Sequence, residues 1–362
     1  MEAKGNGKRK ARMILFGLEI VIILGMLIVL YLVLNQTNDG PRMVELNPQV
    51  LEIHEEVRQL KEEGGSMLGY RNIALFGLDA ETDNQLYKSS HSDSIMIASI
   101  NLDTGDIRLV SVYRDTYLNL GSDEDEEHLK YWKATQAYFY GGAEQAVKML
   151  NMNLDMDITD FVAVGYKGLR GVIDGLGGIY IDVDEVERKH LNNYQIGVSA
   201  VLKCDYTPVE EAGYQLLNGL QAVSYCRIRA TAGDDFKRTA RQREVLKAIE
   251  ARAKETDLVT LTKVFNDCMG DIYTSLDSGD ILALLADIGK YSIVEESGFP
   301  QENLRTTGNI GAKKSCVIPL DLEANVVWLH QFLFGDEDYS VTESVKEYGR
   351  QIEEDTSPYL RR

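Results

Sequence analysis

One run limits every arrangement open to this chain. Residues 13–34, MILFGLEIVIILGMLIVLYLVL, hold 22 positions that are apolar except for Glu19. As a helix that run would span about 33 Å, enough to cross a bilayer. Lys4, Lys8, Arg9, Lys10 and Arg12 precede it, and Asn35, Thr37, Asn38 and Asp39 follow. The positive flank places residues 1–12 in the cytoplasm and everything after about residue 35 outside. The run exceeds a signal-peptide core and no small-x-small cleavage site follows, so the spacing predicts a retained anchor. The expected protein is therefore single-pass in the cell membrane, with its folded part extracellular.

The outer portion divides by pattern. Residues 35–48 read as a polar linker, and Val50, Ile53, Val57 and Leu60 recur at helical spacing up to Gly64-Gly65. Residues 35–66 are thus assigned to a linker and juxtamembrane helix, and 67–335 to the folded domain. Residues 336–362 are assigned to an acidic, loosely attached tail. The formal net charge of −19 argues against a general nucleic-acid binder, which needs a broad basic surface. Cys204, Cys226, Cys268 and Cys316 form no C-x-x-C pair, which disfavours structural zinc. Outside the cell disulfides are reasonable, and Cys268–Cys316 with Cys204–Cys226 is the favoured pairing of three.

Three segments predict the core. Arg71–Asp79 is apolar on both faces and reads as a buried central strand. Ser94–Asn101, a turn at Asp103-Thr104-Gly105, and Ile107–Val112 read as two further strands joined by a hairpin. The connection 80–91 is short for a crossover, so the first two strands run antiparallel. Counting directions, Asp79, Asp93 and Arg114 arrive at one sheet edge. Adjacent carboxylates repel unless a proton or cation lies between them, and an oxygen-liganded Mg²⁺ (or Mn²⁺) suits Asp79 and Asp93. Further on, Ala143–Leu150 reads as a helix. Asp160–Val164, Lys167–Leu176 and Ile179–Val183 read as strand, helix and parallel strand. Helices at 258–270, 277–291 and 321–333 complete an α/β expectation: a mixed sheet flanked by helices in three layers, behind one N-terminal transmembrane helix.

Within this acidic chain, residues 225–243 gather five arginines and Lys237. Tyr225–Arg229 alternates like a strand, with Tyr225, Arg227 and Arg229 on one face. Asp235 can cap a helix from Phe236 to Lys254, on which Arg238, Arg241, Gln242, Val245, Leu246 and Ile249 share a stripe. Inward arginines need anions, and Asp234 and Asp235 are too few, so the pattern implies a phosphate or pyrophosphate ligand. Gly-x-Ser-x-Gly, His-Glu-x-x-His, Walker and dinucleotide patterns are absent.

The segments Ile73–Asp79, Ser92-Asp93-Ser94, Val110–Thr116, Lys133–Gly142, Asp160–Gly178 and Leu217–Ile249 together resemble the LytR-CpsA-Psr family of membrane-anchored cell-wall ligases. The resemblance implies transfer of a glycopolymer, of teichoic-acid or capsular type, from a polyprenyl-pyrophosphate carrier to peptidoglycan. It places Mg²⁺ on Asp79 and Asp93. It places the pyrophosphate among Arg114, Arg227, Arg229, Arg238 and Gln242, with Asp235 in that set and Lys133 lining the site. The Arg114-Asp115-Thr116 motif brings Asp115 beside it, and Arg241 lies on the same helix. His91 stands where the family usually has arginine, which makes it a peripheral phosphate contact; Ser94 and Tyr113 replace threonine and proline, and Gln136 stands where histidine is frequent. Two other readings stay open: a lipid-pyrophosphate phosphohydrolase, and a non-catalytic surface protein that binds lipid-linked anions. Asp93 and Asp115 are both open as the base that activates an acceptor hydroxyl.

Overall fold

The apolar runs of the three core segments are satisfied by a sheet that is buried on both faces. In a computed structural model, which describes residues 42–80, 82–121, 130–229 and 234–360, seven strands form a mixed sheet. Across it lie Arg42–Met43, Ile272–Thr274, Asp160–Val164, Tyr70–Leu78, Ser92–Asn101, Asp106–Val112 and Ser292–Phe299. Tyr70–Leu78 runs antiparallel to Ser92–Asn101 and parallel to Asp160–Val164. On one face Phe76, Ile95, Ile97 and Val110 pack against the helix Thr135–Leu154, with the Phe76 and Tyr138 rings 5.2 Å apart. On the other, Met96, Ala98 and Leu109 pack against Leu246 of the arginine helix, Asp234–Lys254. The period-2 pattern therefore sends alternate residues into two cores. Among the described residues no helix is long and apolar enough to cross a membrane; the expected span 13–34 lies outside them.

Several local expectations are corrected. Tyr225–Arg229 is not a strand. Asn218 and Gln221 form a reciprocal capping box, with both hydrogen bonds at 2.9 Å, which starts a helix at Gly219 that runs to Tyr225. Arg227 and Ile228 then donate back to the carbonyls of Ser224 and Tyr225 in a turn. The helix expected from Ala143 begins at Thr135, kinked at Gly142. There φ is +67° and an added Cβ would lie 2.3 Å from the Tyr87 carbonyl oxygen, so glycine is required. Ile179–Val183 pairs not with Asp160–Val164 but antiparallel with Gly213–Leu217, as a separate two-stranded sheet. The helix Glu185–Leu202, which carried no expectation, is nucleated by an Asp184–Glu187 capping box.

The outer segments also differ from expectation. The juxtamembrane helix is shorter, Glu55–Glu62, and Leu46, Leu51 and Val57 are already part of the main core. Residues 343–360 form a helix whose Val345 and Ile352 are buried in that core, and Asp355 accepts a 2.8 Å hydrogen bond from Tyr117. The C-terminal segment is thus docked, not loose, because its charges fall on one face and its apolar residues on the other. Truncation after Gly335 should therefore lower Tm by more than 10 °C or leave the protein insoluble, whereas a loose tail would come off with no change in a melting curve.

All four cysteines are free thiols, against the expected disulfides. Their partners differ: Cys268 lies against the helix Tyr166–Gly175 at Gly171, while Cys316 belongs to the main core. Cys204 and Cys226 likewise pack in different apolar clusters. Burial pushes the Cys226 thiol up to about 12 and those of Cys268 and Cys316 up to about 11, so these thiols are unreactive.

Candidate functional site

The direction counting holds: Asp79, Asp93 and Arg114 all line one cavity at an edge of the sheet. Gly77 permits the close strand approach that builds this edge, since a Cβ there would meet that of Ser94 at 2.9 Å. The cavity measures about 400 Å³. Leu75, Val162, Leu169, Val223, Val245 and Leu246 give it an apolar wall, drawn from the sheet and from three helices. Arg227, Arg229, Arg238 and Gln242 join the sheet-edge charges in its lining.

Asp93 organises the arginines. Its Oδ1 accepts from Arg114 Nη1, and its Oδ2 lies 3.6 Å from Arg229 Nη2. Its backbone carbonyl accepts from Arg238 Nη2 at 3.4 Å. Asp235 Oδ1 lies 3.2 Å from Arg238 Nη1 and 3.6 Å from Arg229 Nε. Asp235 sits in the first turn of the arginine helix, which begins at Asp234, so it is not the expected cap. Asp115 Oδ1 lies 3.0 Å from Lys133 Nζ and 3.9 Å from Arg114 Nε. Asp93 and Asp115 thus enlarge the carboxylate supply beyond the two aspartates counted from the sequence.

Some polar groups stay unsatisfied. Arg238 is only 2 % exposed, and its Nε and Nη1 make no hydrogen bond with adequate geometry. The buried Gln242 Oε1 is also without a partner among the described residues. Arg227 stacks on the Tyr166 ring at 4.7 Å and lies 6.0 Å from that of Tyr194, and among the described residues no carboxylate pairs with it. Buried donors without acceptors are costly, and here they surround open space beside an apolar wall. The arrangement suits an amphiphile with a multiply charged phosphate head.

Two expected ligand contacts fall elsewhere. Arg241 does not line the cavity; its Nε lies 2.7 Å from Glu187 Oε1 and its Nη1 donates to the Ile228 carbonyl at 3.1 Å. Three residues along a helix rotate it some 60° off the Arg238–Gln242–Val245 line, onto the Glu187 side. His91 also stands outside the lining. Its backbone N–H donates to Asp79 Oδ1 at 2.7 Å, and its ring stacks on Phe139 with centroids 4.7 Å apart. Burial would raise the Asp79 carboxyl, but the hydrogen bonds and charge of His91 outweigh it and hold Asp79 below the usual carboxylate range. Sequence reading missed Tyr166 and Tyr194, the aromatic faces on Arg227. Only the Asp184–Glu187 capping box pointed to the helix carrying Tyr194.

Among the described residues no group of three or more acidic, histidine or cysteine side chains could hold a metal unaided. Asp79 and Asp93 bring carboxylate oxygens to one cavity wall, but those of Asp93 face Arg114 and Arg229, so a cation there would draw most of its shell from water and phosphate oxygens.

The comparisons agree with this architecture. Biofilm regulatory protein A of Streptococcus mutans is 26 % identical over 305 residues, covering 76 % of this chain and 72 % of that protein. The polyisoprenyl-teichoic acid–peptidoglycan teichoic acid transferase TagU of Enterococcus faecalis is 24 % identical over 241 residues, 64 % of this chain and 72 % of its own. Protein gbs0355 of Streptococcus agalactiae superposes with a TM-score of 0.62 at 20 % identity, covering 80 % of this chain and 92 % of that one. A structure of TagT bound to LIIa-WTA superposes at 0.55 and 21 % identity, over 87 % and 99 %. These likenesses show a shared fold. The profile of the LytR_cpsA_psr family matches residues 42–316, about three quarters of the sequence, and the chain belongs to that family.

Proposed function

We propose that the protein is a phosphotransferase, anchored in the cell membrane by residues 13–34, that moves a glycopolymer from a polyprenyl-pyrophosphate carrier onto peptidoglycan. The observation that carries this reading is one cavity with an apolar wall and an arginine-lined sheet edge. A polyprenyl chain takes the wall, and the pyrophosphate takes the free donors of Arg227 and Arg238. The names of relatives such as TagU, a teichoic acid transferase acting on peptidoglycan, support the substrate class.

Phosphoryl transfer asks a protein for position and charge neutralisation more than for covalent chemistry. Arg114, Arg229 and Arg238, already held by Asp93 and Asp235, would grip non-bridging oxygens without reorganising. Gln242 accepts a hydrogen bond from a bound hydroxyl. Mg²⁺ on Asp79 and Asp93 would neutralise charge developing on the leaving phosphate.

The test incubates the full-length protein in liposomes with a polyprenyl-pyrophosphate oligosaccharide, Mg²⁺ and peptidoglycan fragments. The expected products are a phosphodiester-linked glycan and polyprenyl phosphate, with turnover reduced at least tenfold by EDTA and restored by Mg²⁺ or Mn²⁺. Free phosphorylated oligosaccharide without a peptidoglycan adduct would make it a hydrolase. Binding without turnover would make it a carrier.

A further inference from the structure

Asp115 and Asp235 form a carboxylate pair that the cavity does not use. They come from separate segments of the chain, one in the turn after Asp106–Val112 and the other in the first turn of the arginine helix. Their side chains are close enough that Asp115 raises the proton affinity of Asp235. Neither lines the cavity, yet both touch arginines that do: Asp235 meets Arg229 and Arg238, and Asp115 meets Arg114. Their side chains remain 22 % and 30 % exposed. The arginines therefore stand between the apolar cavity and a water-facing carboxylate pair.

In-line displacement puts the incoming and leaving oxygens on opposite sides of the phosphorus. With the lipid phosphate leaving on the cavity side, the attacking hydroxyl approaches from the outer side of the arginines. We infer that the Asp115–Asp235 pair accepts the proton of the acceptor hydroxyl, and that this outer face receives the acceptor sugar. The inference rests on the transferase reading above. As the hydroxyl oxygen forms its bond to phosphorus, its proton passes to an ionised carboxylate of the pair. The bridging P–O bond breaks, and its electron pair leaves with polyprenyl phosphate. Asp93 is less suited, because both its oxygens face arginines and it is a candidate metal ligand.

The surroundings raise the basicity of Asp235. Burial, together with the like charge and hydrogen bond of Asp115, outweighs the pull of Arg229 and Arg114 and raises Asp235 above the usual carboxylate range. Lys133, Arg114, Arg229 and Arg238 face the pair, and Lys133 fixes Asp115 at 3.0 Å. Cys316, near Asp115 on the strand Ser315–Pro319, stays neutral with its thiol pushed to about 11.

The experiment measures kcat/KM for transfer against pH, using the full-length protein in liposomes, the oligosaccharide donor and peptidoglycan fragments. The wild type should lose activity as pH falls through the pair's upper titration, because the doubly ionised form is the base. Asp115→Asn removes the neighbouring charge and should move that limb down by about one pH unit. Asp235→Asn should erase the limb and cost about 10²–10⁴-fold. Asp115→Glu, which keeps the charge, should hold the limb near its wild-type position and guards against a misfolded Asn variant. If both Asn variants keep the wild-type limb and rate, or if Asp115→Glu and Asp115→Asn behave alike, the pair only anchors arginines and the inference fails. A wild type with no transfer at any pH overturns the transferase reading instead.

Discussion

Replacing Arg227 and Arg229 together with alanine should lower transfer by about 10²–10⁴-fold while leaving Tm nearly unchanged. Each charge-assisted contact to a phosphate is worth about 1.5–3 kcal/mol, and each 1.36 kcal/mol is a factor of ten in rate. The fold loses little in exchange. Arg227 gives up its stack on Tyr166, about 0.5–1 kcal/mol, and Arg229 gives up two ion pairs at 3.6 Å from a side chain that is 43 % exposed. Removing two positive charges beside Arg114 and Arg238 relieves repulsion and offsets part of that loss. Arg227→Lys keeps the charge without the planar fork and should fall between, near tenfold. Steady-state transfer and a melting curve decide the matter. Arginines that serve as structural partners would give the reverse, an unfolded double variant and single variants of unchanged pyrophosphate affinity.

Asp93→Ala should behave oppositely in stability. Its carboxylate holds Arg114 and Arg229, and those groups are left facing each other when it goes. The loss is about 1–3 kcal/mol, tempered by partial exposure, which corresponds to a drop of a few degrees in Tm. Transfer should fall at least 10²-fold, since both the arginine alignment and a candidate magnesium ligand disappear. Inorganic pyrophosphate should then raise the Tm of Asp93→Ala more than that of the wild type, because the anion takes the vacated place. Equal shifts in the two proteins would mean that Asp93 does not neutralise the anion site. Asp79→Ala, by contrast, removes only the partner of His91 and should leave the melting temperature close to wild type.

What the sequence determined on its own was set by short-range periodicity. The apolar segments at 73–79, 94–101 and 107–112 could bury both faces only as adjacent strands. The short connections between them fixed their directions, and so the common edge for Asp79, Asp93 and Arg114. Helical spacing likewise put Arg238, Gln242, Val245 and Leu246 on one line along the cavity. Capping signals at Asn218–Gln221 and Asp184–Glu187 were equally local, and reading them would have replaced a false strand with a helix and found the helix of Tyr194. Tertiary structure alone decided which charges met. Arg241 went to Glu187, 54 positions away, and Asp115 came beside Asp235, 120 positions away. The docking of 343–360 onto the core and the pairing of Ser292–Phe299 beside Asp106–Val112 were decided in the same way. Periodicity states which face a side chain occupies, because that follows from backbone geometry within a few residues. Which partner waits on that face depends on chain segments brought together only by folding, and a charge with several candidate partners carries no mark of its choice.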